Sequence, residues 1–296
     1  MRPALSFGRV LSAMVTPFDA EGGLDLDAAR ALARHLVAIG NDGLVVGGTT
    51  GESTALADGE LADLVRAVSE AVTVPVLAGT GSSDTAHSVA RTRQARGWGA
   101  AGVLAVAPYY SRPPQAGIEA HFRAIAAATD LPMMLYDVPR RTGRRVAHEV
   151  LLRLFREAPT IVAFKDATGD IPAAAALVAE AGGHFALYSG DDPATLPLLA
   201  VGAAGVVGTT THWTAPWFAR LIDAVDRGNL AAARALHARL LPSFRYVDGD
   251  DCVFAMAVKA MLAAIGHPVG SCRLPLPAAP PGTHERALAV WRALND

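Results

Sequence analysis

The feature that most constrains the fold is a regular alternation of short apolar runs with amphipathic stretches. The apolar runs, which we predict to be strands, span 10–18, 43–48, 74–81, 102–110, 132–139, 161–168, 185–192 and 205–210. The amphipathic stretches carry apolar residues at the three- and four-residue spacing of helices. They span 26–39, 59–72, 84–98, 115–129, 147–157, 171–181, 193–201 and 215–227. Asp58 precedes the second of these helices and is expected to cap it.

Eight strand–helix pairs in succession favour a closed (β/α)₈ TIM barrel over an open, doubly wound sheet. The strands are near-continuous apolar runs, as expected of a parallel sheet that is buried on both faces. We assign residues 1–228 to the barrel. Residues 229–296 are expected to form a helical appendage of two or three helices packed on it, with a proline-rich break at 275–281.

Composition excludes several classes of protein. The net charge of −2 is spread without a basic stripe, so no nucleic-acid partner is expected. No apolar stretch is long enough to span a bilayer, and residues 1–10 lack the apolar core of a signal peptide, so we expect a cytoplasmic protein. Cys252 and Cys272 have no further ligands nearby. We therefore expect a reduced pair, with no metal and no cofactor.

Polar residues and glycines follow most of the predicted strands. In an α/β barrel the carboxyl ends of the strands form the functional face. The relevant segments are GGTTGES (47–53), GTGSSD (79–84), PYYSRPP (108–114), YDVPRRTG (136–143), FKDATGD (164–170) and YSGDD (188–192). These segments are expected to converge on one mouth.

Lys165 is the strongest candidate for catalysis. The chain has only two lysines, Lys165 and Lys259, and uses arginine for every other basic side chain. Lys165 follows the apolar run IVAF, so partial desolvation should lower the pKa of its amine and favour attack on a carbonyl. An ordinary ion pair, with Asp166 as a candidate partner, is the alternative. Lys259 lies in the appendage without a neighbouring polar cluster in the sequence, so a structural role is expected.

Two neighbouring segments offer partners for this amine. Tyr136 ends the strand beside that of Lys165, and its phenol could relay protons to and from a carbinolamine. It could equally be a rim aromatic with its hydroxyl in water. The turn 49–52 is glycine-rich, and its N–H groups and hydroxyls could hold a carboxylate. An ordinary turn remains open.

Other polar residues at the predicted mouth are less decisive. Either Arg140 or Arg141 is expected to face inward and capture a second carboxylate in bidentate fashion, while the other is solvated. Asp191 and Asp192 lack further ligands at metal-binding spacing, so loop and helix-cap roles are favoured. His212 and Trp213 either line the pocket or cover the rim.

Taken in order, the motifs GTTGES, PYYSRPP, YDVPRRTG, AFKDATG and YSGDD resemble the dihydrodipicolinate synthase / N-acetylneuraminate lyase family of pyruvate aldolases, and more closely its synthase branch. The resemblance runs from about residue 8 to residue 275. It implies that Lys165 forms a Schiff base with pyruvate and that the resulting enamine attacks aspartate-4-semialdehyde. The adduct would then cyclise, in the first committed step towards diaminopimelate and lysine.

The same resemblance implies roles for individual residues. Tyr136 would be a proton shuttle relayed through Thr49 and Tyr110. In this family the second tyrosine of the PYY motif is supplied by the adjacent subunit, so Tyr110 implies a homodimer, often paired into a homotetramer. Thr50, with nearby backbone amides, would hold the pyruvate carboxylate.

The resemblance also covers the substrate pocket. Gly190 and Val207 would border pyruvate. Arg141 matches the family arginine that receives the carboxylate of the semialdehyde and separates the synthases from the sialic-acid lyases.

Three positions depart from the family pattern. Asp137 replaces the commoner asparagine of the YNVP motif. The segment VVGTTTHW (206–213) differs from the usual end of the eighth strand, and the segment 244–259 lacks the usual Asn-Pro stretch.

Two other functions remain open from sequence. One is a pyruvate-dependent aldolase or hydratase-aldolase that acts on a sugar acid or another aldehyde. The other is a catalytically silent paralogue that serves as a binding or assembly subunit. The joint presence of Lys165, Tyr136, Thr49 and Tyr110 disfavours the silent paralogue.

Overall fold

The computed structural model describes residues 7–183, 185–249 and 252–296. Residues 1–6 therefore lie outside the described residues, as do residue 184 and residues 250 and 251 of the atypical segment 244–259. Residues 1–6 belong both to the predicted barrel and to the segment 1–10 that was compared with signal peptides.

Eight parallel strands close into a barrel, and this confirms the predicted fold class. The strands are β1 Val10–Ala13, β2 Gly43–Val46, β3 Val76–Gly79, β4 Gly102–Val106, β5 Met133–Asp137, β6 Ile161–Asp166, β7 Ala186–Ser189 and β8 Gly205–Gly208. Their order around the barrel follows the chain, and β1 pairs with β8 to complete the ring. Each strand is shorter than its predicted run, because the apolar runs continue into the loops that carry the functional side chains.

The helices surround this barrel and continue beyond it. They are α1 Leu26–Ala38, α2 Asp58–Ala71, α3 Thr85–Ala95, α4 Gln115–Ala126, α5 Pro139–Thr142, α6 His148–Glu157, α7 Ile171–Glu180, α8 Thr195–Ala200, α9 Thr211–Asp226, α10 Leu230–Val247, α11 Phe254–Ala264 and α12 Thr283–Asn295. The one-turn helix α5 was not predicted, because its four residues are too few to show periodicity. Helix α9 begins at Thr211, four residues before the predicted start.

The predicted cap at Asp58 is wrong. The residue at the N-cap position of α2 is Ala57, whose N–H donates to the Glu60 carboxylate at 3.0 Å. Asp58 is the first helical residue, and its carboxylate accepts from the Arg91 side chain at 2.6 Å and contacts His87 at 2.9 Å. It ties α2 to α3 instead of capping α2.

Two hydrophobic layers support the site. One lies between the barrel and its helices. The other fills the barrel interior with Leu11, Val45, Leu77, Leu104, Met134, Ala163, Tyr188 and Val207, among others. Tyr188 is fully buried in this layer, and its hydroxyl donates to the Gly8 carbonyl at 2.8 Å. The interior is thus a packed floor, and a ligand must bind above it, at the ends of the strands.

The appendage consists of α10, α11 and α12, within the predicted two or three helices. The proline-rich stretch 275–281 separates α11 from α12, as expected. Buried residues of α10 and α11, such as Phe244 and Met256, belong to the same apolar cluster as the layer outside the barrel. The division at residue 228 stays a prediction.

In the part of the chain that the structure describes, no helix combines the length and the apolar character needed to cross a bilayer.

Candidate active site

A cavity of about 440 Å³ opens at the carboxyl ends of the strands. Its volume suits a small organic ligand. Its lining comes from the loops after β2, β5, β6, β7 and β8, and also from the end of α10 and the start of α11. The cavity contains Lys165, Tyr136, Thr49, Thr50, Arg141 and Gly190, all of which the sequence had singled out.

Lys165 lies near the end of β6 and is 6% exposed. Its Nζ is 4.3 Å from the centre of the Tyr136 ring. The alternative ion pair with Asp166 does not form, since Lys165 has no ion pair among the described residues. The Asp166 carboxylate accepts instead from the Thr168 N–H at 2.8 Å. Burial lowers the pKa of the Lys165 amine from 10.5 to about 8, against the opposing effect of the Asp192 carboxylate.

Gly190 leaves the space that the lysine stem occupies. A Cβ at this position would lie 2.8 Å from Cγ and 3.0 Å from Cε of Lys165. The Gly190 N–H donates to the Asp166 carbonyl at 2.7 Å, which holds the β7 loop against β6. Gly190 therefore lines the cavity directly beside the candidate nucleophile.

Tyr136 stands on β5 in register with Lys165 on β6. It is 5% exposed, so the alternative of a rim aromatic with its hydroxyl in water is wrong. Burial raises the pKa of its phenol to about 12, while the charge of Arg141 and the nearby Thr49 hydroxyl act in the opposite direction. The phenol is protonated at neutral pH, and it shares the cavity wall with Thr49 and Thr50 of the turn 49–52.

That turn is more than a simple connection. Thr50 and Glu52 are both 5% exposed, and Glu52 adopts a left-handed backbone with φ of 55°. The Thr16 hydroxyl donates to the Gly51 carbonyl at 2.6 Å. A non-glycine residue in this backbone region is strained and needs support from its surroundings.

Lys259 provides that support, which agrees with the structural role expected for it, although the sequence did not show its polar partners. Its Nζ lies 2.8 Å from the Glu52 carboxylate and donates to the Ser271 carbonyl at 2.8 Å. Both side chains of the ion pair are at most 4% exposed. The Arg273 N–H donates to the second Glu52 oxygen at 2.8 Å. The appendage is thereby tied to the turn that carries Thr49 and Thr50.

Arg140 and Arg141 both line the cavity and both are exposed at its mouth, so the expectation that only one faces inward is wrong. They differ in their partners. Arg140 lies 3.7 Å from the Asp248 carboxylate, whereas Arg141 has no ion pair among the described residues. The central guanidinium carbons of both arginines lie over the ring of Phe254. Partial desolvation lowers the pKa of Arg141.

Asp192 joins the ends of β7 and β8. Its buried carboxylate accepts from the N–H groups of Thr209 and Thr210, the closest at 2.6 Å, and from the Thr210 hydroxyl at 2.6 Å. Asp191 precedes a 3-10 turn, but its side chain makes no capping hydrogen bond. The predicted helix-cap roles are therefore wrong; Asp191 lies in a loop, as predicted, whereas Asp192 begins the 3-10 turn.

The open question about His212 and Trp213 is resolved by burial. Both lie in the first turn of α9 and are at most 3% exposed. His212 Nε2 accepts from the Val15 N–H at 3.1 Å, and Trp213 Nε1 donates to the Ser243 hydroxyl at 3.0 Å. They hold α9 against the segment that follows β1 and against α10, and they do not line the cavity.

Two residues assigned to the site lie away from this cavity. Val207 is 1% exposed and packs in the barrel interior, while the cavity wall near β8 contains Thr209. Tyr110 is 95% exposed and has a left-handed φ of 69°. Their proposed roles stay predictions.

Several residues of the site carried no signal in the sequence. Val247, Asp248 and Phe254 reach the mouth from the appendage, more than 80 residues after Lys165. Apolar residues in helices give no indication of which loop they will meet. Only the unusual composition of the segment 244–259 marked this region.

Asp137 is fully buried behind the site. One of its oxygens accepts from the Val146 N–H at 3.0 Å, and the other is buried without a hydrogen-bond partner among the described residues. Burial raises the pKa of this carboxyl to about 7, and the nearby Asp166 carboxyl adds to the effect. An asparagine at this position would carry no charge.

Known proteins resemble the chain over nearly its whole length. The model of the dihydrodipicolinate synthetase family matches residues 6–290. A 4-hydroxy-tetrahydrodipicolinate synthase of Streptomyces coelicolor is 50% identical over 276 residues, which cover 93% of this chain and 91% of that protein.

Solved structures agree with this assignment. A synthase from Cyanidioschyzon merolae, crystallised with lysine bound, is 41% identical and superimposes with a TM-score of 0.95 over 98% of this chain and 99% of that one. A synthase from Acinetobacter baumannii, complexed with pyruvate, is 30% identical and has a TM-score of 0.91 over the same shares of the two chains. By sequence and by fold, the chain belongs to the dihydrodipicolinate synthetase family.

Proposed function

We propose that this enzyme condenses pyruvate with L-aspartate-4-semialdehyde to form 4-hydroxy-tetrahydrodipicolinate. The observation that carries the proposal is the buried amine of Lys165, held 4.3 Å from the centre of the Tyr136 ring in a cavity that also contains Thr49 and Thr50. The names of the relatives support the choice of substrates.

The first half of the reaction uses pyruvate. The neutral amine of Lys165 attacks the ketone carbon and gives a carbinolamine, which loses water to form the imine. Tyr136, kept protonated by burial, passes protons to and from the departing hydroxyl through Thr49. Thr50 and neighbouring N–H groups hold the pyruvate carboxylate. Loss of a methyl proton then gives the enamine.

The second half forms the new carbon–carbon bond. The enamine carbon attacks the aldehyde of the semialdehyde, and the aldehyde oxygen takes up a proton to become the 4-hydroxyl group. The amine of the bound semialdehyde then attacks the imine carbon, which closes the ring and releases the amine of Lys165. One water is lost overall. Arg141, which has no ion pair among the described residues, binds the carboxylate of the semialdehyde.

We also infer that the active enzyme is a homodimer or homotetramer in which Tyr110 completes the site of a neighbouring subunit. An aromatic side chain that is 95% exposed on a left-handed backbone is costly for an isolated chain, and this favours a partner that covers it. The cytoplasmic location stays a prediction.

Subunit mixing tests the contribution of Tyr110. Tyr110→Ala and Lys165→Ala subunits, each inactive alone, would be unfolded and refolded together. A hybrid dimer then has one intact site, so random pairing should restore about a quarter of wild-type activity. A mixture that stays inactive although hybrids are detected would exclude exchange of this residue.

Substrate preference tests the reaction itself. Purified enzyme with pyruvate should turn over aspartate-4-semialdehyde, and a sugar-acid lyase assay should give no product. Arg141→Ala should weaken use of the semialdehyde and leave formation of the pyruvate adduct intact. Turnover of the sugar acid alone would assign the chain to the other branch of pyruvate aldolases.

A further inference from the structure

The mouth of the cavity contains an aromatic platform that belongs to the appendage. Phe254 is the first residue of α11, is half-buried and lines the same cavity as Lys165. The central guanidinium carbons of Arg140 and Arg141 lie 5.5 and 4.9 Å from the centre of its ring. Both distances fall within the range of about 6 Å over which a cation is attracted to an aromatic face.

The two arginines are not equivalent on this platform. Arg140 has an acidic partner in Asp248 at 3.7 Å. Arg141 has neither an ion pair nor a side-chain hydrogen bond among the described residues, so the ring of Phe254 is its main described contact. A guanidinium that rests its flat face on a ring keeps its N–H groups, which lie in its plane, free to donate. A carboxylate can then bind along that edge with two hydrogen bonds.

We propose that Phe254 is a positioning residue for the second substrate: its ring holds the guanidinium of Arg141 ready to receive a carboxylate. The inference rests on the proposed function, in which Arg141 binds the carboxylate of the semialdehyde. It assigns part of acceptor recognition to the appendage. Because Phe254 acts through Arg141, its replacement should alter use of the semialdehyde and leave the reaction of pyruvate with Lys165 unchanged.

Two substitutions at Phe254 test this role. Phe254→Leu keeps an apolar side chain but removes the aromatic face, and the KM for aspartate-4-semialdehyde should rise about two- to fivefold, the range expected for an exposed cation–π contact. The KM for pyruvate and kcat should stay at their wild-type values. Phe254→Tyr keeps the ring and should behave as wild type. Val253→Ala, at the neighbouring exposed position, is the matched control and should have no effect.

A double-mutant cycle decides whether Phe254 acts through Arg141. In the Arg141→Ala background, Phe254→Leu should cause no further rise in the KM for the semialdehyde. Additive effects, an equal rise in the KM for pyruvate, or a Phe254→Leu enzyme identical to wild type would each overturn the proposal.

The same assays separate this proposal from the proposed function. A wild-type enzyme that turns over the semialdehyde, with a Phe254→Leu variant that is insensitive, contradicts only the role of Phe254. A wild-type enzyme that forms the pyruvate adduct but never uses the semialdehyde contradicts both.

Discussion

Replacing Asp137 by asparagine should stabilise the protein above neutral pH and not below pH 4. The carboxyl is fully buried, and its pKa is raised from 3.8 to about 7. The folded state therefore holds the proton more tightly than the unfolded state. The contribution of the Asp137 carboxyl to the free energy of unfolding is complete below about pH 4 and is lost as the pH rises through 7. A shift of about 3 pKa units corresponds to about 4 kcal/mol at about 1.36 kcal/mol per unit.

The amide recovers only part of this free energy. The asparagine oxygen can accept from the Val146 N–H as the carboxylate does. Its NH₂ group would occupy the place of the oxygen that has no partner among the described residues, and burying an unpaired donor costs about 1–3 kcal/mol. We therefore expect Asp137→Asn to raise the free energy of unfolding by about 1–3 kcal/mol at pH 8.

Thermal unfolding from pH 4 to pH 8.5 measures this effect, since the difference between variant and wild type should grow as the pH rises. Asp170→Asn is the control, because that partly exposed carboxylate pairs with Arg145 at 2.7 Å and its pKa is lowered. Its contribution is present above pH 4 and is lost in acid, so the dependence on pH has the opposite sign. A stability difference between Asp137→Asn and wild type that does not vary with pH would refute the reasoning.

Three further predictions concern the site. Because the pKa of Lys165 is near 8, the rate of imine formation with pyruvate should fall about tenfold per pH unit below pH 8 and level off above it. Stopped-flow kinetics or borohydride trapping would measure this rate. An inflection near pH 10 would contradict the desolvation of the amine. Gly190→Ala would bring a methyl group within 3.0 Å of the Lys165 stem and should lower the yield of trapped adduct at least tenfold in a protein that still folds. Lys259→Met leaves the buried Glu52 carboxylate without its ion-pair partner and should lower the free energy of unfolding, measured in urea, by about 3–5 kcal/mol. Lys259→Met combined with Glu52→Gln should recover most of that loss. A double variant that is equally unstable would contradict the pairing.

The barrel was predictable from sequence because periodicity is a local property. Eight apolar runs that alternate with eight helical stretches are compatible with few other architectures. Lys165 and Tyr136 were found for the same reason, since the end of a strand fixes where its side chains point. The pairing of Tyr136 with Lys165 followed from the neighbourhood of consecutive strands.

The contributions of the appendage were not predictable. Phe254 and Lys259 meet the loops after β5 and β2 only because the fold brings α11 close to these loops, and no local pattern encodes that placement. The strained turn at Glu52 was also missed, because the sequence does not show that a lysine about 200 residues later supports it.

Borohydride reduction in the presence of pyruvate, followed by mass spectrometry of peptides, tests the central claim most directly. We expect one stable adduct on Lys165, none on Lys259, and none at either position in a Lys165→Arg variant. An adduct on Lys259, or an unmodified Lys165 in folded protein saturated with pyruvate, would contradict it.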